Sequence, residues 1–140
     1  VYGTDRGGVL VTHLKSNLIQ AGSGRTILIG GNGLNTLIGN KGDDLILDGR
    51  TSYDADYAAL ERFRTVWLDA ALTFEKRVAL IVDPTQKAFL KAGTTLFLTP
   101  KGPVGASPRV LIGAGGRTVY FTTDARRIAS FHAGTDRLVR

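Results

Sequence analysis

The chain has 140 residues, a net charge of +6, 43% hydrophobic residues and no cysteine. This length accommodates one domain with a modest core, and the composition excludes wholesale disorder, disulfides and thiolate metal sites. No apolar run approaches the length of a membrane span. The absence of methionine, even at position 1, indicates a processed product or a piece of a longer protein. The basic charge is concentrated in residues 93–140, which carry seven basic and two acidic side chains.

Residues 1–49 contain an apolar position that recurs every nine residues. The five positions are Leu10, Ile19, Leu28, Leu37 and Ile46, and glycine-rich corners lie between them. Neither an amphipathic helix nor a hairpin has this period. It predicts a solenoid of short strands and turns, in which each repeat stacks on its neighbours. We expect the corner glycines to provide backbone with positive φ.

Residues 50–92 are predicted to form a helical insertion. Thr51 or Ser52 is the candidate N-cap of a first helix, and a second helix is predicted from about Thr73 to Asp83. Apolar residues at helical spacing are expected to pack on the solenoid, in preference to forming a ligand groove. These residues are Tyr53, Tyr57, Leu60, Phe63 and Trp67.

Strand character returns in residues 93–140, where the nine-residue spacing resumes at Leu111, Tyr120, Ala129 and Leu138. The chain is therefore expected to leave the solenoid, form a helical cover and return. The predicted solenoid core consists of Leu10, Ile19, Leu28, Leu37, Ile46, Leu111 and Tyr120. The prediction is a single, mainly β domain with β-solenoid repeats in 1–49, a helical insertion in 50–92 and resumed β-repeats with a basic face in 93–140.

Three consecutive nine-residue frames, 21–29, 30–38 and 39–47, carry glycines at matching places, and residues 113–121 look like one more frame. They resemble the haemolysin-type RTX repeat, G-G-x-G-x-D-x-U-x, where U is a large apolar residue. The order of repeats, helices and further repeats also resembles terminal domains of large secreted bacterial proteins of this type. The resemblance implies a parallel β-roll with two repeats per coil, calcium bound at the turns, and a secreted or cell-surface location.

The sixth residue of each repeat, an aspartate that binds calcium in that family, is mostly replaced here. The predicted turn ladder at this position is Asn17, Thr26, Asn35 and Asp44, and the C-terminal part has Arg109, Thr118, Arg127 and Asp136. Calcium takes about six to eight oxygen ligands, so a full calcium ladder is not expected. One residual calcium site is a candidate at Asp43, Asp44 and Asp48. In the alternative, Asp44 and the asparagines bond to turn N–H groups without metal.

No residue pattern indicates catalysis, since His13 and His132 are far apart and no carboxylate pair has a suitable context. A structural module that associates head to tail into filaments is the first prediction, because solenoid ends leave strand edges unpaired. A calcium-stabilised appendage of a secreted enzyme or adhesin is the second. The third is binding of an anionic polysaccharide or surface, more than of nucleic acid. Its candidate residues are Arg109, Arg117, Arg126, Arg127 and Arg137.

Overall fold

A computed structural model describes residues 1–12, 18–98 and 110–139. Within these residues the protein is mainly β, with eleven strands and two α-helices. The strands are β1 Gly8–Val11, β2 Leu18–Gln20, β3 Thr26–Ile29, β4 Thr36–Ile38, β5 Asp44–Leu47, β6 Gly49–Thr51, β7 Leu96–Leu98, β8 Val110–Ile112, β9 Thr118–Phe121, β10 Ile128–Ser130 and β11 Arg137–Val139. The helices are α1 Tyr57–Leu68 and α2 Phe74–Val82, and Ala125–Arg127 form a short 3-10 helix.

Nine of the strands form two parallel sheets. The five-stranded sheet has the order β1-β3-β5-β9-β11, and the four-stranded sheet has the order β2-β4-β8-β10. Successive strands of the first array alternate between the sheets, so that Leu10 pairs with Leu28 and Ile19 pairs with Leu37, 18 residues apart. Beyond the helices the chain rejoins both sheets directly, because β9 pairs with β5 and β8 pairs with β4.

One apolar cluster, the inner core, joins the two sheets. It contains the residues spaced at nine, and six of them are 0% exposed: Ile19, Leu28, Leu37, Ile46, Leu111 and Tyr120. Leu10 is partly buried against the same cluster. The spacing fails at Ala129, which is exposed. The register of β10 against β8 shifts between Ile128 and Ser130, and Ile128 packs against the inner core in its place.

A second cluster, the outer core, lies on the other face of the five-stranded sheet. Sheet residues such as Ile27, Leu45 and Phe121 pack there with the helical segment. The buried aromatic and aliphatic residues of the helices are Phe63, Trp67, Phe74 and Ile81. The helices therefore cover one sheet, as a strand buried on both faces requires.

The insertion differs from the sequence prediction at its first helix. Thr51 belongs to β6, which pairs antiparallel with β7, and Asp56 is the N-cap, accepting a hydrogen bond from the Ala59 amide. Tyr53 and Leu60 pack partly buried against the outer core.

The prediction that Tyr57 packs on the sheet is wrong, since this side chain is 84% exposed. It lies two residues before buried Ala59, which places it about 200° around the helix. The second helix lies between Thr73 and Asp83 as predicted: Thr73 is its N-cap, accepting a hydrogen bond from the Lys76 amide, and Asp83 is its C-cap. No helix in the described part of the chain is long and apolar enough to cross a membrane.

Candidate functional site

The turns that precede β1, β3, β5 and β9 stack on one another along one edge of the five-stranded sheet, here called the turn edge. The glycines in these turns allow the backbones of neighbouring turns to approach each other closely. A Cβ on Gly42 would lie 2.5 Å from the Gly24 carbonyl oxygen, and a Cβ on Gly116 would lie 1.8 Å from that of Gly42. These glycines do not have positive φ, whereas Gly31 and Gly115 do. Close backbone approach is therefore the reason for glycine in the stack, and the expectation of positive φ applies only at a minority of corners.

Two buried carboxylates, in the turns that precede β5 and β11, each tie their own turn to the neighbouring strand of the sheet. Asp44 accepts hydrogen bonds from the amides of Thr26 at 3.0 Å and Asn40 at 2.7 Å. Asp136 makes the same pair of contacts, with the amides of Thr118 at 3.0 Å and His132 at 2.9 Å. Both carboxylates stand in the sixth position of a repeat. They thus make the metal-free contacts that the sequence offered as the alternative to calcium.

Burial raises the pKa of Asp44 to about 7. The amide hydrogen bonds from Asn40 and Thr26 act in the opposite direction, and the charge of Asp43 raises the pKa further. Asp44 is therefore partly protonated near neutral pH.

The other described members of the turn ladder also bond within their own turns. The Asn35 amide donates to the carbonyls of Gly30 and Gly33, the latter at 3.1 Å. The Thr26 hydroxyl donates to the Gly24 carbonyl at 3.1 Å. Asn17 lies outside the described residues.

Asp43 is surrounded by arginines from distant parts of the chain. It accepts hydrogen bonds from Arg117 Nε at 3.0 Å and Nη2 at 2.7 Å, and from Arg77 Nη2 at 2.5 Å. Arg25 Nε lies 3.9 Å from the same carboxylate. Burial raises the pKa of Asp43, but the hydrogen bonds and charges of Arg117 and Arg77 outweigh it and hold this pKa below its usual value. One ionised carboxylate thus faces three guanidinium groups.

The helices support this cluster through aromatic rings. Arg117 lies over the Phe74 ring at 4.7 Å, and Arg77 lies over the Trp67 ring at 5.4 Å. The Trp67 indole also donates to the Asp43 carbonyl at 2.9 Å. The Arg77 side chain is 1% exposed, and its Nε and Nη1 have no hydrogen-bond partner among the described residues. Burial, then the charge of Arg25, lowers the pKa of Arg77.

Sequence reasoning missed the roles of Arg25 and Arg77. A signal was present at Arg77, because it shares the buried side of α2 with Phe74 and Ile81. A charged residue on an apolar helix face requires a buried partner. The identity of that partner could not be read from the pattern, since Asp43 is 34 residues away.

The structure does not bring Asp43, Asp44 and Asp48 together around one candidate calcium site. Asp43 and Asp48 stand at opposite ends of the four-residue strand β5, and Asp48 bonds to Thr122 at 3.2 Å and pairs with Arg127. No group of three His, Cys, Asp or Glu side chains in the described ranges could hold a metal ion. Since protein donors already engage each carboxylate, these residues do not fit calcium.

The arginines proposed for polyanion binding are also paired with carboxylates. Arg117 pairs with Asp43 and Arg127 with Asp48, while Arg126 pairs with Asp124 at 2.8 Å and Arg137 pairs with Glu75. Arg109 lies outside the described residues. The four described arginines therefore do not form one unneutralised surface.

Two adjoining grooves run along the turn edge. One has a volume of about 460 Å³ and is lined by Arg6, Arg25, Lys41 and Asp43 among others. The second, of about 440 Å³, shares Lys41 and Asp43 and adds Arg117. These grooves and the arginine cluster behind them form the candidate site.

Comparison with known protein families, curated proteins and solved structures finds no match to this chain. The resemblance to RTX repeats therefore rests on the repeat motif alone.

Proposed function

We propose that this chain is a non-enzymatic, extracellular structural module, a parallel β-roll that associates head to tail with further copies of itself. The carrying observation is the inner core, which is fully buried in its middle and only partly covered at both ends. Leu10 lies at one end, Ile128 and Leu138 lie at the other, and all three are only partly buried. A second copy stacked on either end would complete the burial of these side chains.

Two features support the β-roll. Strand partners lie 18 residues apart in the first array, which corresponds to two nine-residue repeats per coil. A single inner core also receives residues from both parallel sheets. Each repeat thus contributes one strand and one turn, which is the geometry that the RTX resemblance implies.

Strand edges that have no partner in residues 1–12, 18–98 and 110–139 support the head-to-tail contact. β1 and β11 are the outer strands of the five-stranded sheet, and β10 is an outer strand of the four-stranded sheet. At the other edge of that sheet, residues 1–3 pair with β2, through Gly3 N to the Gln20 carbonyl at 2.7 Å and Gln20 N to the Val1 carbonyl at 2.9 Å. A copy added in parallel register would continue the sheets and bring Leu10 of one molecule towards Leu138 of the next.

The contacts that the carboxylates make, at the turn edge and at the far end of β5, favour assembly without metal. Asp44 and Asp136 each accept two backbone hydrogen bonds, and arginines engage Asp43 and Asp48. These contacts weigh against the calcium-stabilised appendage. The absence of a recognisable catalytic pattern supports a non-enzymatic role, and the RTX resemblance supports export from a bacterial cell.

The test uses two variants, each of which blocks stacking of a second copy at one end of the inner core. Leu10→Arg and Leu138→Arg place a charge in the two open ends of the inner core. We expect wild-type protein to form filaments in negative-stain electron microscopy, with calcium and with a chelator alike. Each variant alone should form none, whereas an equimolar mixture should form dimers in sedimentation velocity, because each variant keeps one competent end.

The matched control is Tyr57→Arg, which adds a charge at an exposed helix position and should leave filaments unchanged. Circular dichroism confirms that each variant is folded. Wild-type protein that stays monomeric at every concentration would overturn the proposed assembly. Compact particles that form only with calcium would favour the appendage instead.

A further inference from the structure

Four successive turns of the turn edge each carry a basic side chain. In spatial order these are Arg6 before β1, Arg25 before β3, Lys41 before β5 and Arg117 before β9. Neighbouring strands lie about 4.8 Å apart, so the four turns span about 14 Å. The row is a product of the stacking, because residues far apart in the chain become neighbours at regular intervals.

Positive charge exceeds negative charge along this row. The two grooves are lined by the four basic residues and by a single carboxylate, that of Asp43. Arg77 adds a further buried cation behind Asp43, with two nitrogens that have no hydrogen-bond partner among the described residues. The local field is therefore positive even though Asp43 is ionised.

Arg6 and Lys41 are the most available cations of the row. Both are exposed, and no carboxylate of the described residues lies within 4.0 Å of their charged nitrogens. Nearby Asp5 instead accepts hydrogen bonds from the amide of Ser23 at 3.1 Å and from its hydroxyl at 2.8 Å. This distinguishes Arg6 and Lys41 from Arg126, Arg127 and Arg137, whose charges are met by carboxylates.

The shape of the grooves favours an extended ligand with repeated anionic groups. They adjoin through Lys41 and Asp43, and glycines such as Gly24, Gly42 and Gly116 form part of their lining. Among the described residues that line them, His132 is the one aromatic ring, and no Phe, Tyr or Trp offers a larger face on which a nucleic-acid base could stack. Arginine is well suited to carboxylate and sulfate groups, which it can bind through two parallel hydrogen bonds.

We propose that the turn edge binds a linear acidic polysaccharide along the row of Arg6, Arg25, Lys41 and Arg117. Successive carboxylate or sulfate groups of the polysaccharide would lie against successive turns. This function is separate from the proposed assembly, because the row lies on the side of the stack and the open core lies at its ends. It also uses a different surface from the C-terminal arginines that the sequence suggests.

The test compares two double variants of equal charge. Arg6→Gln/Lys41→Gln removes the two available cations of the row, and Lys87→Gln/Lys91→Gln removes two exposed lysines elsewhere. Binding to fluorescently labelled polygalacturonate and heparin oligosaccharides is measured on the full chain, at concentrations where it is monomeric. These two probes separate carboxylate from sulfate recognition, and a labelled thymidine oligonucleotide serves as the nucleic-acid probe.

We expect wild-type protein to bind at least one of the two polysaccharides, with an affinity that falls as salt rises. The row variant should bind roughly tenfold more weakly and with a shallower salt dependence, because it makes fewer charge contacts. The control should change by less than about twofold at the same net charge. Equal losses in both double variants, an unchanged row variant, or no binding to either polysaccharide would overturn the proposal. Tighter binding of the oligonucleotide would also overturn it, in favour of a nucleic-acid partner.

Discussion

The two parallel sheets differ in how much of each is buried, although both are built from the same nine-residue repeat. In the five-stranded sheet, β3, β5 and β9 are buried at every residue, because the inner core covers one face and the helices cover the other. In the four-stranded sheet, β4 and β8 bury only their central residue. The nine-residue period therefore identifies the residues that point into the inner core between the two sheets. Whether the residues on either side of them are buried depends on whether the helical insertion covers that sheet.

The largest expected effect concerns the helical cover itself. Trp67→Ala removes a fully buried ring from the outer core, together with its hydrogen bond to the Asp43 carbonyl. We expect the free energy of unfolding in urea to fall by about 3–5 kcal/mol. Tyr57→Ala, at an exposed position of the same helix, should change it by less than about 0.5 kcal/mol. A small loss for Trp67→Ala would mean that the helices do not stabilise the sheet.

The most direct contrast between the sheets uses two residues at the same repeat position. Leu47 in β5 is fully buried against the outer core, whereas Ile38 in β4 is half-buried. We expect Leu47→Ala to reduce the free energy of unfolding by about 3 kcal/mol and Ile38→Ala by about 1 kcal/mol. Equal losses in chemical denaturation would show that both sheets are covered on both faces, contrary to the structure.

The glycine stack offers a comparison between the middle and the end of the turn edge. A Cβ at Gly116 would meet the Gly42 carbonyl, whereas a Cβ at Gly134 would have nothing within 4 Å. Gly116→Ala is therefore expected to destabilise the fold by about 2 kcal/mol through overpacking, and Gly134→Ala should be close to neutral. Thermal melting of both variants is the measurement. If Gly134→Ala proved as costly as Gly116→Ala, a conformational requirement would explain the glycines better than close approach.

A smaller effect is expected in the pH dependence that Asp44 confers. Its pKa is about 7 in the folded chain and near 3.8 when unfolded, so the folded state binds more protons between these values. The stabilisation present at low pH is therefore lost as pH rises from about 4 towards 7.

Asp44→Asn should remove the pH-dependent part of the free energy of unfolding that Asp44 contributes. The variant should also lose one hydrogen bond from a backbone amide at every pH. Between pH 5 and pH 8, we expect its stability relative to wild type to improve on the order of 2–3 kcal/mol. Urea unfolding at a series of pH values measures the difference. A difference that stays constant across this range would show that Asp44 remains ionised when buried.

Much of the strand arrangement could be predicted because it follows from a local period. The positions from Leu10 to Tyr120 share one inner core, and Thr73 caps α2, since each depends on residues close in sequence. The sequence predicts too early a start for the first helix, because Thr51 and Asp56 are both good caps and only the pairing of β6 with β7 decides between them.

The candidate site was less predictable because its contacts are not local. Asp43 meets Arg117 from 74 residues away, across the insertion, and Arg77 reaches it from a helix. The need for glycine at the turn edge likewise depends on the next turn of the stack. The repeats in the sequence predict the register between neighbouring strands. They do not predict which side chains of the helical insertion will contact the turns.

The most direct test of a fold held at its corners by hydrogen bonds and arginines is thermal unfolding with and without calcium. Circular dichroism melts would be recorded in excess calcium and in a chelator, at the same ionic strength and protein concentration. Because a ligand that binds only the folded state raises the melting temperature, the account predicts superimposable transitions in the two conditions. A melting temperature that rises by about 5 °C or more with calcium would contradict it, since that shift corresponds to about 1.5 kcal/mol of binding to the folded chain.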